Sequence, residues 1–240
     1  MGNVQDFTKG NIGKTILMFY FPMFATNMLQ QFYSFADTAI VGNGLGDNAL
    51  AAVGNMSSIT FLIIGFSMGL SIGFSTLIAQ HFGAKNYEKL KEALVSSIQL
   101  AVAIVVILTA LGVMFIDKAL ILLRTDPKIM QDSILYGRII FIGLFSSIGY
   151  NLSAAILRAF GDSKTPLRAI ITSSILNIGL DYLFIYVVKT GVEGAAIATV
   201  FSQMVSSLIC INRIRKIEYA KFTLADFKLN ILVYLRLLKN

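Results

Sequence analysis

Charge is what this sequence has least of. Of its 240 residues only 14% are Asp, Glu, Lys or Arg, against about 25% in an average soluble domain, while 56% are hydrophobic and mean hydropathy is +0.74. That balance describes an integral membrane protein and excludes a water-soluble enzyme. Cysteine is nearly absent too: Cys210 stands alone, which excludes an intramolecular disulfide and a multi-cysteine metal site and leaves a packing role. Histidine is equally scarce. Gly65-Phe66-Ser67-Met68-Gly69 fits the serine-hydrolase pattern, but that chemistry needs a strand-to-helix elbow and a nearby imidazole. His81, the sole histidine, sits about 21 Å further along the same helix and reads as a solvated cap. Gly65, Gly69 and Gly73 read instead as a doubled G-x-x-x-G, a face another helix can approach closely.

What is present is long uncharged stretches. Residues 15–36, 48–84, 93–116, 139–157 and 194–212 carry no Asp, Glu, Lys or Arg, and 169–188 is interrupted only by Asp181. Each reaches the roughly 18 residues that cross a bilayer. Helices are the economical structure, because an open strand edge leaves backbone groups unsatisfied in lipid and the runs are too continuous for barrel strands. The sequence predicts an all-α integral membrane protein, a bundle of six transmembrane helices near 13–41, 50–80, 90–116, 129–158, 166–188 and 194–213. Turn residues agree: Gly42 to Asp47, Gly83 to Asn86, Thr125-Asp126-Pro127 and Gly161 to Pro166. Connectors are short, there is no internal repeat, and no soluble domain fits between the spans.

A net charge of +7 raises nucleic acid, but that partner needs basic residues gathered on one soluble face. Here they alternate between the ends of the helices. With a cytoplasmic N-terminus, Lys9, Lys14, Lys85, Lys89, Lys91, Arg158, Lys164, Arg168, Arg213, Arg215 and Lys216 lie inside and Lys118, Arg124, Lys128, Arg138 and Lys189 outside. The excess follows the positive-inside rule and places both termini in the cytoplasm of a multi-pass plasma-membrane protein. The first apolar run continues past Pro22 with no small-residue cleavage site, so it is a permanent span; Asp6 rules out the myristoylation pattern. Residues 1–213 form the helical unit. The stretch 214–240 reads as a cytoplasmic amphipathic tail with a capping-box-like start at Thr223 and Asp226, or as the start of a linker or further helix.

Acidic residues inside the apolar runs carry the most functional information, since a carboxylate at a helix centre costs about 2.5–3.5 kcal/mol on insertion scales. Asp181 belongs to a stripe with Ser173 and Asn177 at i, i+4, i+8; the structural alternative is a hydrogen bond to a neighbouring helix. Asp37 lies either at the outer interface or in a hydrated cavity. The latter reading draws on Asn27, Gln30 and Ser34, which share its face at helical spacing. Pro22, in the same helix, invites a kink. Thr199, Ser202, Gln203 and Ser206 form a further polar stripe in the last span.

Four stretches carry a family resemblance: Asp37-Thr38-Ala39-Ile40-Val41-Gly42; Ala79-Gln80-His81-Phe82-Gly83-Ala84; Leu157-Arg158-Ala159-Phe160-Gly161-Asp162-Ser163-Lys164-Thr165-Pro166; and Asn177 to Ile185 leading into Gly194-Ala195-Ala196-Ile197-Ala198-Thr199. In this order they resemble the multidrug and toxic compound extrusion (MATE) transporters, over about residues 10–213. The resemblance implies one lobe of a two-lobed, twelve-helix antiporter, exporting organic, often cationic compounds against H⁺ or Na⁺. It implies a coupling-ion site at Asp37, Asn177, Asp181 and Thr199; the polar stripes themselves nominate Asn27, Gln30, Ser34, Ser173 and Gln203 as cavity-lining. Its partners are organic cations, the lipid bilayer and a second lobe, with no nucleic acid and no cofactor beyond the coupling ion. Two readings compete. A lipid-linked oligosaccharide flippase of similar architecture would carry basic rather than acidic intramembrane residues. A structural or truncated six-helix module would share every feature but activity.

Overall fold

The computed structural model describes residues 12–220. The predicted amphipathic tail lies almost wholly outside the described residues. Seven α-helices follow one another: α1 (Ile12–Leu45), α2 (Asp47–Gly83), α3 (Tyr87–Leu122), α4 (Pro127–Ile142), α5 (Leu144–Ala159), α6 (Lys164–Tyr182) and α7 (Val192–Ile214). A π-helical stretch, Leu183–Val188, prolongs α6, and a 3-10 turn, Glu218–Ala220, follows α7. There is no strand among the described residues. The helices outrun their apolar segments because polar residues cap them beyond the hydrocarbon. The Asn86 side chain accepts from the Lys89 amide at the start of α3, and Asp126 accepts from that of Lys128, with Pro127 opening α4.

The structure departs from the predicted six helices in three ways. First, the single helix expected over 129–158 is two, α4 and α5, bent by 46° at Gly143. There α7 comes so close that a Cβ on Gly143 would lie 2.1 Å from Val200 Cγ2. The backbone tightens locally, with the Ser146 amide donating to the Gly143 carbonyl, and Thr109 Oγ1 donates to the Phe141 carbonyl just before the break. Second, the helix expected over 166–188 changes to π geometry directly after Asp181 and Tyr182. It ends at Lys189 in the left-handed region (φ 59°), where the amide and hydroxyl of Thr190 both donate to the Phe184 carbonyl. Third, by length and apolarity four helices qualify as spans, α2, α3, α7 and α6 with its π extension, or five with α4 and α5 taken as one. At 34 residues α1 has ample length, but Asn27, Gln30 and Gln31 dilute its apolar character.

The two halves of the bent span occupy the middle of the bundle. Helix α5 packs against α2, α3 and α7, α4 against α2, α3 and α7, and α1 against α6 and α2. Accordingly α5 is buried almost throughout from Leu144 to Leu157. The outer faces of α1 and α2 present Phe21, Phe32, Phe35, Phe61 and Leu62. The first two glycines of the doubled motif close no helix pair here, for a Cβ on Gly65 or Gly69 would meet nothing within 4 Å. That close-approach face is open.

At the basic end of the bundle Asp162 ties α6 to α7. Its carboxylate accepts from the Thr165 amide (2.9 Å) and hydroxyl (2.7 Å) and from Arg213 Nε (3.0 Å). Burial alone would raise the carboxyl's affinity for protons, but the two Thr165 donors and the Arg213 guanidinium outweigh it and hold Asp162 below the usual carboxylate range. A depressed carboxylate favours the folded state above the ordinary carboxylate pKa, and that contribution is lost as pH falls through the depressed value. Asp162→Ala is expected to cost about 1–3 kcal/mol at neutral pH and to flatten the acid limb of stability. Thermal unfolding of detergent-solubilised protein from neutral to acid pH checks both.

Candidate functional site

Three helices bring the polar stripes together. α1 supplies Tyr33, Ser34 and Asp37 near its C-terminal end, α6 supplies Asn177 and Asp181 in its last two turns, and α7 supplies Thr199 and Gln203. Because α1 and α7 both pack on α6, the α6 stripe is sealed. Asn177 and Asp181 are 0% exposed and Asp37 is 9% exposed. The two carboxylates interact electrostatically, and Tyr33 and, from α4, Tyr136 lie in the same field.

The Asp37 and Asp181 carboxyls lie within hydrogen-bonding reach of each other, as do Tyr33 and Thr199, but two carboxylates pair only by sharing a proton. Among the cluster's buried atoms Asp37 Oδ1, both carboxylate oxygens of Asp181, both amide atoms of Asn177, Thr199 Oγ1 and the Tyr33 hydroxyl lack a protein partner of ordinary geometry. Buried polar groups are overwhelmingly paired, and each orphan costs about 1–3 kcal/mol, more when charged. Five unpartnered oxygens from Asp37, Asp181, Asn177 and Thr199 are therefore the largest local departure from polar satisfaction. Chemically they are hard donors, the set that suits a hydrated or alkali cation or a shared proton. No cluster of three or more His, Cys, Asp or Glu able to hold a metal ion occurs among the described residues; the oxygens here come from two carboxylates with an amide and a hydroxyl.

Beside the cluster opens a cavity of about 290 Å³. Asp37, Thr199 and Tyr33 form its polar wall, Ser57 and Thr60 of α2 and Tyr136 of α4 face them, and Ile140, Leu144 and Val200 flank the Gly143 bend. Asp37 and Thr199 thus stand between the cavity and the sealed Asn177–Asp181 pair. Ser34 and Gln203 also line this cavity, and Gln203 Oε1 accepts from the Ser147 hydroxyl.

The other expected lining residues lie elsewhere. Asn27 is exposed and Gln30 half-buried, and neither reaches the wall, because ten residues of helix put Asn27 about 15 Å from Asp37. Ser173 is buried, but its hydroxyl turns back to the Ile170 carbonyl, two helical turns from Asp181. The sequence reading missed Tyr33 and Tyr136. Tyr33 had a signal, one turn before Asp37 on the same face, whereas Tyr136 had none outside the tertiary structure.

Comparison with known proteins bears on this arrangement. The MatE family profile matches residues 22–183. A probable multidrug resistance protein, YpnP of Bacillus subtilis, is 34% identical over 203 residues, covering 85% of this chain and 46% of the relative. An FAD transporter of Shewanella oneidensis is 28% identical, covering 91% and 50%. A crystal structure of MATE in the bent conformation superposes with a TM-score of 0.89 at 32% identity, covering 96% of this chain and 52% of that one. The chain spans about half the length of the relatives it matches, and its helices form one lobe of their fold. It belongs to the MatE family of multi-pass membrane transporters.

Proposed function

We propose that this chain is the ion-binding lobe of a cation-coupled antiporter that moves organic, often cationic, compounds out of the cell. The observation that carries the reading is the buried oxygen cluster of Asp37, Asn177, Asp181 and Thr199, unpaired within the protein and adjoining a cavity that holds one of the two carboxylates on its wall. A carboxylate removed from water is neutralised either by a proton or by Na⁺ with oxygen partners. Asp37 faces the cavity and takes the ion first, Asp181 and Asn177 hold it in the dry interior, and Thr199 completes the shell. A cationic substrate in the cavity competes with that ion for Asp37, directly or through movement of α1. Inward passage of the ion, worth about 2.3 kcal/mol per elementary charge per 100 mV, then drives release of the substrate outward.

The partner required is a second lobe. The open Gly65–Gly69 face of α2 and the exposed phenylalanines of α1 supply a close-approach surface for it, and alternating access comes from rocking of one lobe against the other. In proteoliposomes with an inward Na⁺ or H⁺ gradient, the lone chain is expected to move no cationic dye, and co-reconstitution with a second lobe to restore dye movement. Dye export by the lone chain would replace the second lobe with a homodimer, and gradient-independent movement would remove the coupling.

The basic asymmetry supports an orientation with the Asn43 end of α1 outside and the Asn86 turn inside. Cys210 is fully buried, so the native chain serves as a nearly unreactive background for single cysteines. Asn43→Cys and Gln131→Cys are expected to react with an impermeant maleimide from outside intact cells, and Asn86→Cys only after permeabilisation. The reverse pattern would invert the topology.

A further inference from the structure

A second cavity lies away from the polar cluster. A groove of about 610 Å³ runs between α3 and α7 with α5 as its floor. Its walls are aliphatic, Ile98, Val102 and Val106 on α3, Leu152 and Ile156 on α5 and Ile211 on α7. Val102 and Val106 are 58% and 61% exposed, so the groove is open along its side. From Leu94 to Val106 it follows twelve residues of α3, about 18 Å, which is close to the half-thickness of a 30 Å hydrocarbon core. One end is polar. There Arg215 lines the groove with Ala220, and the basic residues at the start of α3 and the end of α7, Lys85, Lys89, Lys91, Arg215 and Lys216, outnumber Glu88, Glu92 and Glu218, with Arg213 already paired to Asp162.

We propose that this groove is a binding site for a single anionic phospholipid, with one acyl chain lying along α3, α5 and α7 and the headgroup phosphate at Arg215. Three features fix the occupant. The length suits one leaflet rather than a transmembrane helix, which would need the full thickness. The exposed side of the groove is aliphatic, with Val102 and Val106 open to the bilayer, while the small residues Ala101, Gly149 and Ser153 lie deeper in its lining and leave room for a slender chain. The charge at the mouth complements a phosphate, the arrangement by which basic pockets between transmembrane helices hold anionic headgroups. The floor, α5, begins at the Gly143 bend that walls the polar cavity, so an acyl chain on it stiffens the helix whose other end adjoins Thr199 and Gln203.

The sequence contains no tryptophan, which allows a direct test on the full chain in bilayers. A Val106→Trp reporter at the deep end of the groove is compared with Leu111→Trp, exposed on the same helix but outside it. Quenching by acyl-brominated phosphatidylglycerol is measured against quenching by acyl-brominated phosphatidylcholine. The expected result is an apparent preference of about fivefold for phosphatidylglycerol at the Val106→Trp reporter, the worth of one basic residue at the headgroup plane. No preference is expected at Leu111→Trp, and adding Arg215→Gln should abolish the preference at Val106→Trp while leaving quenching itself intact. Equal quenching by the two lipids at Val106→Trp would overturn the headgroup assignment. Absence of quenching there, with normal quenching at Leu111→Trp, would overturn the site altogether and assign the groove to protein, either the segment after Ala220 or a partner chain.

Discussion

Replacing Asp181 by asparagine is expected to raise the thermal stability of the ion-free chain and to erase its dependence on Na⁺ and pH. The wild-type carboxylate is fully buried with neither oxygen paired, so when ionised it costs what an intramembrane charge costs, about 2.5–3.5 kcal/mol on insertion scales. An amide of the same shape removes most of that and keeps hydrogen-bonding capacity toward Asp37. A cation at 100 times its dissociation constant would return about 2.7 kcal/mol to the wild type and nothing to the variant. The two proteins should therefore differ most without Na⁺ at high pH and converge when the ion saturates. Asp37→Asn is expected to behave similarly with a smaller stability gain, since Asp37 is 9% rather than 0% exposed and touches the cavity. Melting curves across Na⁺ concentration and pH check both variants. A wild type with no ion- or pH-dependent shift, or variants that keep it, would leave the orphaned oxygens a matter of packing.

The second large effect is expected at Gly143. An alanine there puts its Cβ 2.1 Å from Val200 Cγ2 and 2.9 Å from Val200 Cβ, and a β-branched side chain cannot swing clear. Relief requires α7 to withdraw or the α4–α5 bend to change, at a cost of about 1–3 kcal/mol for overpacking. Since Ile140, Leu144 and Val200 all border the polar cavity, the same shift should weaken ion-dependent stabilisation. Val200→Ala in the Gly143→Ala background is expected to recover much of the loss, so that the pair is non-additive in a double-mutant cycle. Additive losses would show that the bend does not rest on this contact.

The helices were legible because a bilayer imposes a length, and uncharged runs of that length are conspicuous. The break at Gly143 was not. Nothing in the run between Arg138 and Arg158 marks that glycine above Gly149, and its cause, Val200, lies on another helix. The π geometry after Tyr182 is similar, for it depends on the Thr190 amide and hydroxyl reaching back to Phe184.

Within the site, Asp181 and Asn177 stood out because a carboxylate in an apolar run needs a reason, and their periodicity put them on one buried face. The same periodicity misled further along α1. A polar stripe continues past the end of the cavity it lines, so Asn27 and Gln30 shared Asp37's face without sharing its surroundings. Tyr33 and Tyr136 were hidden for the opposite reason. Aromatic residues are common on lipid-facing surfaces, and only the packing of α1 and α4 turns these two hydroxyls toward the carboxylates.

The most direct measurement of the central claim is the number of cations taken up per chain, Na⁺ by equilibrium binding at fixed pH and H⁺ by titration without Na⁺. It is made on the purified wild type and on Asp37→Asn, Asp181→Asn and Thr199→Val. One saturable cation per wild-type chain is predicted, lost in both aspartate variants and weakened in Thr199→Val, which removes one neutral oxygen from the shell. Uptake unchanged by either aspartate substitution, or no uptake by the wild type, would contradict a coupling-ion site at Asp37, Asn177, Asp181 and Thr199.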